Sequence, residues 1–464
     1  MKSEHEDKTG EGSAQALRQA FDTMIDRLKE ARDAIDTPEL YPAPPTERNL
    51  AEGYRYVLGF LLGSLERSLA DPLYPRFRRA IQPTNRSTID NSDAVYLSAE
   101  IDGNHSYRIR GRALDSRHWR GEEPVAGKRA PQYVIFELSS GHAGDSGSLA
   151  EMRPGSRLNT STLDCHSLIV EPDGQFEILV APQRPEGYLG NFMLSCRESH
   201  EREYVGRYLT CRELFHDWSN EDVLDLEILR IGSECEPRPP LDPDGAIALM
   251  DRIGELTRNQ VHFWNAFNTV TLETYGKVPG MPSIGGDDDK AFMPTNDMNA
   301  PNALGLATGG GQSTNIYAGG VYLLKEDEAL LIESTVPVPP SFMGFHLANL
   351  WGESLDFESY QSNLNGHMLE QDEDGAYRWV VSHQNPGIAN WVDTTGLPHG
   401  YLTIRWTYPE PPPRELWPSL SVKQLAFADV QRQLSAEAKA VHEERRQQRA
   451  LIRLRHVQRR YRQY

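Results

Sequence analysis

Apolar residues along this chain fall into two periods. Between Leu17 and Ile35 they recur every three or four positions (Leu17, Phe21, Met24, Ile25, Leu28, Ile35), which predicts an amphipathic helix. The cluster Pro42-Ala43-Pro44-Pro45 stops it. Thr46 is placed to cap a second helix, whose apolar face carries Leu50, Tyr54, Val57, Leu58, Leu61, Leu62 and Leu65. A face that wide has to pack on something, so both helices are expected to dock on the body that follows. From about Ala94 the period drops to two. Val95–Ile101, Ser106–Arg110 and Gln132–Leu138 read as strands, with Asp102-Gly103-Asn104 as a hairpin turn. Phe176–Val180 and Tyr208–Phe215 extend the series, and so many short strands point to an antiparallel sandwich. Beyond the linker Glu236–Pro243 the helical spacing returns at Ile247, Met250, Ile253, Val261, Trp264 and Phe267. A second β-rich stretch then runs from Tyr317 to Tyr408.

The two β-rich stretches are copies. Asp173–Pro185 reads DGQFEILVAPQRP and Asp374–Pro386 reads DGAYRWVVSHQNP, at a constant offset of 201 residues (374 − 173). Each is followed by an Asn-aromatic pair, Asn191-Phe192 and Asn390-Trp391, and then by a Tyr-Leu-Thr-x-Arg strand, Tyr208–Arg212 and Tyr401–Arg405. Such a repeat dictates the architecture. The expectation is an α+β protein. It has an N-terminal helical region (1–90), a first sandwich or jelly-roll-like module (91–235), a linker helix and Gly-rich loop (236–316), a second module (317–410) and a basic C-terminal helix (411–464).

Composition narrows the class. The 464 residues carry a formal charge of −19, which argues against nucleic-acid or membrane affinity for the body of the protein. Residues 423–464 hold eleven Lys/Arg against four Asp/Glu, a local +7, so the remainder carries −26. Four dispersed cysteines without a CxxC pair read as reduced thiols, and the polar N-terminus is not a leader, so a cytoplasmic address is expected.

Several motifs together, Asp327–Glu333, Phe345-x-Leu347-x-Asn349-Leu350-Trp351, Ser362–Asn365 and the long run Asp374–Trp406, resemble bacterial domain-of-unknown-function family 1214. The first half adds Asp90-Asn91, Tyr107–Gly111, Asp173-Gly174, Gly190-Asn191 and Asp217-Trp218. The resemblance spans residues 50–408. It implies helices with two β-sandwich modules and supplies no catalytic residues. The basic C-terminal helix, and Phe192 where Trp is expected after Asn, depart from the family pattern.

Candidate chemistry concentrates in the second copy. His383, Asn385, Trp391, Asp393 and His399 stand where the first copy has Pro182, Arg184, Phe192 and no clear counterpart of the last two. His383 or His399 suits acid–base work near neutral pH, with Asp393 as orienting partner. Trp391 can stack on a flat ligand. Arg405 can hold a carboxylate or phosphate, and His346 and Asn390 complete the set. On this reading the protein is a metal-independent, cofactor-free hydrolase or lyase acting on a small sugar-like or cyclic apolar molecule. The loop Gly280–Gln312 would be its lid. The competing reading makes Asn390 and Asp393 turn formers and Trp391 a core aromatic. The protein is then a ligand-binding or assembly protein, possible as a homo-oligomer. The residues shared by both copies are expected to hold the sandwiches together.

Three motifs carry less. Gly144-Asp145-Ser146-Gly147 lacks the histidine segment of a serine protease and reads as a flexible loop. Gly309–Gly311 lacks the lysine of a phosphate loop. The eight arginines between Arg445 and Arg462 either pack on an acidic surface of this chain or a neighbouring subunit, or bind a polyanion.

Overall fold

The computed structural model describes residues 3–36, 46–125, 127–153, 155–199, 201–273, 293–303, 312–434, 441 and 443–462. Helix α1 (Ser3–Asp36) and helix α2 (Glu47–Leu69) open the chain. Thr46 caps α2, its hydroxyl accepting the Asn49 N–H at 3.2 Å. The first β region contains β1 (Arg78–Ile81), β2 (Ala94–Glu100), β3 (Tyr107–Arg112), β4 (Tyr133–Ser139), β5 (Asn159–Asp164) and β6 (Gln175–Ala181). It continues with β7 (Asn191–Leu194), β8 (Cys196–Ser199), β9 (Arg202–Val205), β10 (Tyr208–Leu214) and β11 (Asp225–Arg230). Helix α3 (Pro243–Glu273) leads to the second region: β12 (Asn315–Leu323), β13 (Glu328–Ser334), β14 (Phe342–Ala348) and β15 (Asn363–Asn365). Next come β16 (Tyr377–Ser382), β17 (Trp391–Asp393), β18 (His399–Thr407) and β19 (Ser421–Ala426), and α4 (Glu443–Arg460) closes the described chain.

The sheet orders reproduce the sequence repeat. In the first region one sheet runs β1-β2-β10-β4-β5 and the other β11-β3-β6-β7. In the second they run β12-β18-β14-β15 and β17-β16-β13-β19. Without β1 and the inserted hairpin β8-β9, each strand of the first region has a counterpart in the second. The second sandwich takes its last strand from beyond the proline run at Pro411–Pro413. One feature departs from an all-antiparallel sandwich: β6 pairs with β7, and β16 with β17, in parallel. The shared asparagines clamp the crossovers. Asn191 accepts the Ile169 N–H at 2.7 Å and donates to the Ile169 carbonyl at 2.9 Å. Asn390 does the same with Glu370, at 2.9 and 2.6 Å.

Period-two alternation sorts the Tyr-Leu-Thr-x-Arg strands. Leu209 and Cys211 enter the first core, and Leu402, Ile404 and Trp406 enter the second. The tyrosines, threonines and arginines therefore leave by the opposite face. Helices cover part of that face. Tyr56, Val57 and Phe60 of α2 and Val261 of α3 pack with Val321, Ala348 and Tyr401 of the second region.

Glu213 points inward from β10 and is fully buried. One oxygen accepts the Leu224 N–H at 3.3 Å and the other has no partner. Burial pushes its pKa from 4.5 up to about 8. The stability this proton provides is complete below the unfolded-state value and is lost as pH rises through the folded one. Glu213→Gln is therefore expected to gain on the parent protein by about 1.4 kcal/mol per pH unit across that window. Urea unfolding at about pH 5 and about pH 8 checks this; parallel curves would show that the carboxyl titrates normally.

The two regions are joined through buried polar groups. Asp93, between β1 and β2, accepts the amides of Asn363 and Asn365, each at 2.9 Å. Asp90 holds the Ser354 N–H and hydroxyl at 2.9 and 2.7 Å. Helix α4 lies along this junction. Its arginines do meet acids, Arg445 with Glu370 at 2.8 Å and Arg459 with Asp222 at 3.2 Å. Their main acceptors, however, are backbone carbonyls of the same chain: Ile388 for Arg446, Phe357 and Asn363 for Arg453, Trp218 and Glu221 for Arg459, and Ser92 for Arg460. Among the described residues no helix is long and apolar enough to cross a membrane.

Candidate functional site

A cavity of about 360 Å³ lies where the two regions meet, within the size range of small-molecule sites. Its walls come from the outward faces of β2, β10 and β4 on one side and of β12 and β18 on the other, with α2, α3 and residues 293–302 closing it. The shared motif faces into it. Thr210 and Arg212 line it from the first copy, and Thr403 and Arg405 from the second.

The arginines have matching tyrosine neighbours. Arg212 is in register with Tyr96 and sits 6.0 Å from its ring; Arg405 is in register with Tyr317, 5.7 Å from its ring. Each tyrosine oxygen accepts an N–H from five residues earlier, Asn91 at 2.8 Å and Gln312 at 2.9 Å. The match breaks at the next strand. Thr210 pairs with Glu137 on β4, whereas Thr403 pairs with His346 on β14. Arg212 therefore has a carboxylate counter-ion, and Glu137 with its partners raises the pKa of that guanidinium against the cost of burial. Arg405 instead meets the His346 ring, its Nη1 2.9 Å from Nδ1, and donates to the Ile89 carbonyl. Burial, and then the Arg405 charge, hold His346 well below its ordinary pKa, so the imidazole is neutral. Among the described residues no carboxylate lies at ion-pair distance from Arg405, although the side chain is only 7% exposed. The hydroxyls of Ser98 and Thr403, both on the cavity wall, are buried without a hydrogen-bond partner.

The far end of the cavity holds another cluster. Arg67 pairs with Asp145 at 2.8 Å and lies 3.5 Å from Glu100, and Tyr208 donates to Asp145 at 3.1 Å. His142 lines the wall beside Tyr208, ring centroids 5.5 Å apart. Its Nδ1 donates to the Ala143 carbonyl at 2.9 Å, so Nε2 keeps its lone pair. Burial, and then Arg67, lower the His142 pKa to about 4. The loop carrying His142 is not loose. Gly144, at φ +90°, passes so close to α3 that a Cβ would stand 2.8 Å from Gln260 Oε1. Phe60, Trp264, Phe267 and Met293 give the cavity its apolar wall.

Of the residues singled out by sequence, Arg405 lines this cavity with His346 behind it. The others lie elsewhere on the second sandwich. His383 uses both ring nitrogens, Nδ1 accepting from Thr394 Oγ1 at 2.6 Å and Nε2 donating to the Leu324 carbonyl at 3.2 Å. Asp393 accepts the Thr395 N–H at 2.7 Å, and burial raises its pKa while His383 opposes the rise. Asn49 donates to His399 Nε2 at 2.9 Å. The Trp391 indole donates to the Ser382 carbonyl at 3.2 Å, and the Arg446 guanidinium covers its ring at 5.3 Å. Within the loop expected to act as a lid, residues 293–303 run beside β12, where Asn302 bridges to Tyr317, and Met293, Asn299 and Asn302 line the cavity. Residues 280–292 and 304–311 lie outside the described residues. Among those described, no group of three or more His, Cys, Asp or Glu is arranged to hold a metal.

No family model and no curated protein matches the chain. The fold does have a relative of known structure. A crystal structure of an uncharacterised protein from Burkholderia cenocepacia superimposes with a TM-score of 0.71 at 24% identity, covering 90% of this chain and all 100% of that one. This likeness shows the fold alone. A protein from Vibrio parahaemolyticus covers 82% of this chain at a TM-score of 0.39 and 10% identity.

Proposed function

We propose that this protein binds a small amphipathic anion in the cavity between its two modules, with Arg405 anchoring the anionic head. The supporting observation is the broken match between the copies: Arg212 has Glu137, whereas Arg405 has a neutral imidazole. A buried guanidinium without a counter-ion is costly, and an incoming carboxylate or phosphate relieves that cost with charge-assisted hydrogen bonds. The unpartnered Thr403 hydroxyl offers the head another donor, and the aromatic wall suits an apolar body. This is the ligand-binding reading of the sequence, relocated from the C-terminal loops to the junction. The acid–base groups expected from the sequence, His383, Asp393 and His399, are not among the cavity-lining residues, so this cavity does not support the hydrolase or lyase built on them. Membership of family 1214 and a cytoplasmic address belong to the same proposal.

Calorimetric titration with decanoate, decanol and decylammonium tests it. Decanoate is expected to bind best, and Arg405→Gln to weaken it roughly tenfold or more, the worth of one charge-assisted hydrogen bond. Equal affinity for the acid and the alcohol would overturn the reading.

A further inference from the structure

The cavity presents a second polar end whose chemistry differs from the first. At the Arg67–Asp145–Tyr208 cluster the Arg67 charge is already matched within the protein. What it offers is the lone pair of His142 Nε2. The other ring nitrogen donates to the Ala143 carbonyl, which fixes the tautomer of the neutral ring and leaves Nε2 as an acceptor. The side chain is 42% accessible and on the cavity wall. A neutral acceptor at this position calls for a hydrogen-bond donor on the ligand. Tyr208 and Arg212 stand four residues apart on β10, roughly 13 Å at strand spacing. Arg405 lies at the Arg212 end, since Tyr96 feels the charge of both arginines. The two ends are thus a medium-length chain apart.

Resting on the anion-binding reading above, we propose that the natural ligand is two-headed: an amphipathic carboxylate or phosphate whose far end carries a hydroxyl or phenol that donates to His142 Nε2. The loop Gly141–Gly147, pinned to α3 through Gln260 and Asn259, is then the specificity element of the site. Arg405 selects for charge, and His142 selects for a donor at the other end.

Calorimetry with decanoate and ω-hydroxydecanoate on the full chain tests this. The hydroxy acid is expected to bind about threefold to tenfold tighter, the range for one neutral hydrogen bond. In His142→Phe that preference is expected to disappear, the ratio of the two affinities falling to about one. On the unmodified protein, the His142 Nε2 nitrogen resonance should move on adding the hydroxy acid and hold still with decanoate. Equal binding of the two acids, or a preference that survives in His142→Phe, overturns the donor assignment alone. Failure of both acids to bind overturns the anion reading and this inference with it.

Discussion

Replacing His346 by glutamate is expected to weaken anion binding at least as much as loss of Arg405 does, while leaving the fold intact. The first copy shows why. At the equivalent place Glu137 faces Arg212, accepts the Ser313 N–H at 3.0 Å, and satisfies the guanidinium from within. His346→Glu would rebuild that arrangement around Arg405 and remove its demand for an outside counter-ion. The loss should match or exceed that of Arg405→Gln, roughly tenfold to a hundredfold. Unlike that variant, it keeps the arginine, so it separates charge compensation from simple loss of a side chain. Glu137→Gln should act in the opposite direction, because it leaves a second guanidinium facing the cavity without its carboxylate. Titration of decanoate into the two variants checks both signs. If His346→Glu binds as the parent does, Arg405 is not the anchor.

The second large effect concerns stability. Arg453 is fully enclosed between the regions, donating to the Phe357 carbonyl at 3.1 Å and to the Asn363 side chain and carbonyl at 2.5 and 2.6 Å, beside the Trp218 ring. Burial lowers its pKa to about 10, which still leaves it charged at neutral pH. Arg453→Met fits the volume and strands three acceptors, one of them on the asparagine that also holds Asp93. Each buried unsatisfied group costs about 1–3 kcal/mol, so a loss of ~3–5 kcal/mol is expected. Guanidinium unfolding measures it. A change below about 1 kcal/mol would mean that α4 rests on the junction without bracing it.

Much of the architecture was legible in the chain. The three- and four-residue spacings mark α1, α2 and α3, Thr46 is the cap it was expected to be, and the repeat predicts two sheets of matching order. The site was legible only in part. Arg405 was visible as a strand-end cation, but the residues common to both copies read as framework, because a repeat normally conserves its packing. Alternation within Tyr-Leu-Thr-x-Arg already held the signal. If Leu209 and Leu402 enter the cores, the arginines must leave by the other face, and two buried arginines on outward faces need something between them. That Glu137 and His346 are the residues facing them follows from the β4–β10 and β14–β18 registers, which link segments more than fifty residues apart and leave no local trace. His142 escaped because a Gly-Ser loop reads as flexible unless α3 is known to lie against it. The loops around Asn390 to Asp393 drew attention through residue types that suit chemistry and equally suit turn closure.

Helix α4 has a consequence for biosynthesis. Both sandwiches precede it in the chain, so the arginines that bind them together are translated after every strand. At about 5–20 residues per second α4 follows the last strand, β19, by about one to several seconds. Until α4 docks, the two walls of the cavity lack the clasp of Arg453 and Arg460. Docking of α4 is therefore expected to be a late step of assembly, closing the junction after the strands on both sides of it are in place.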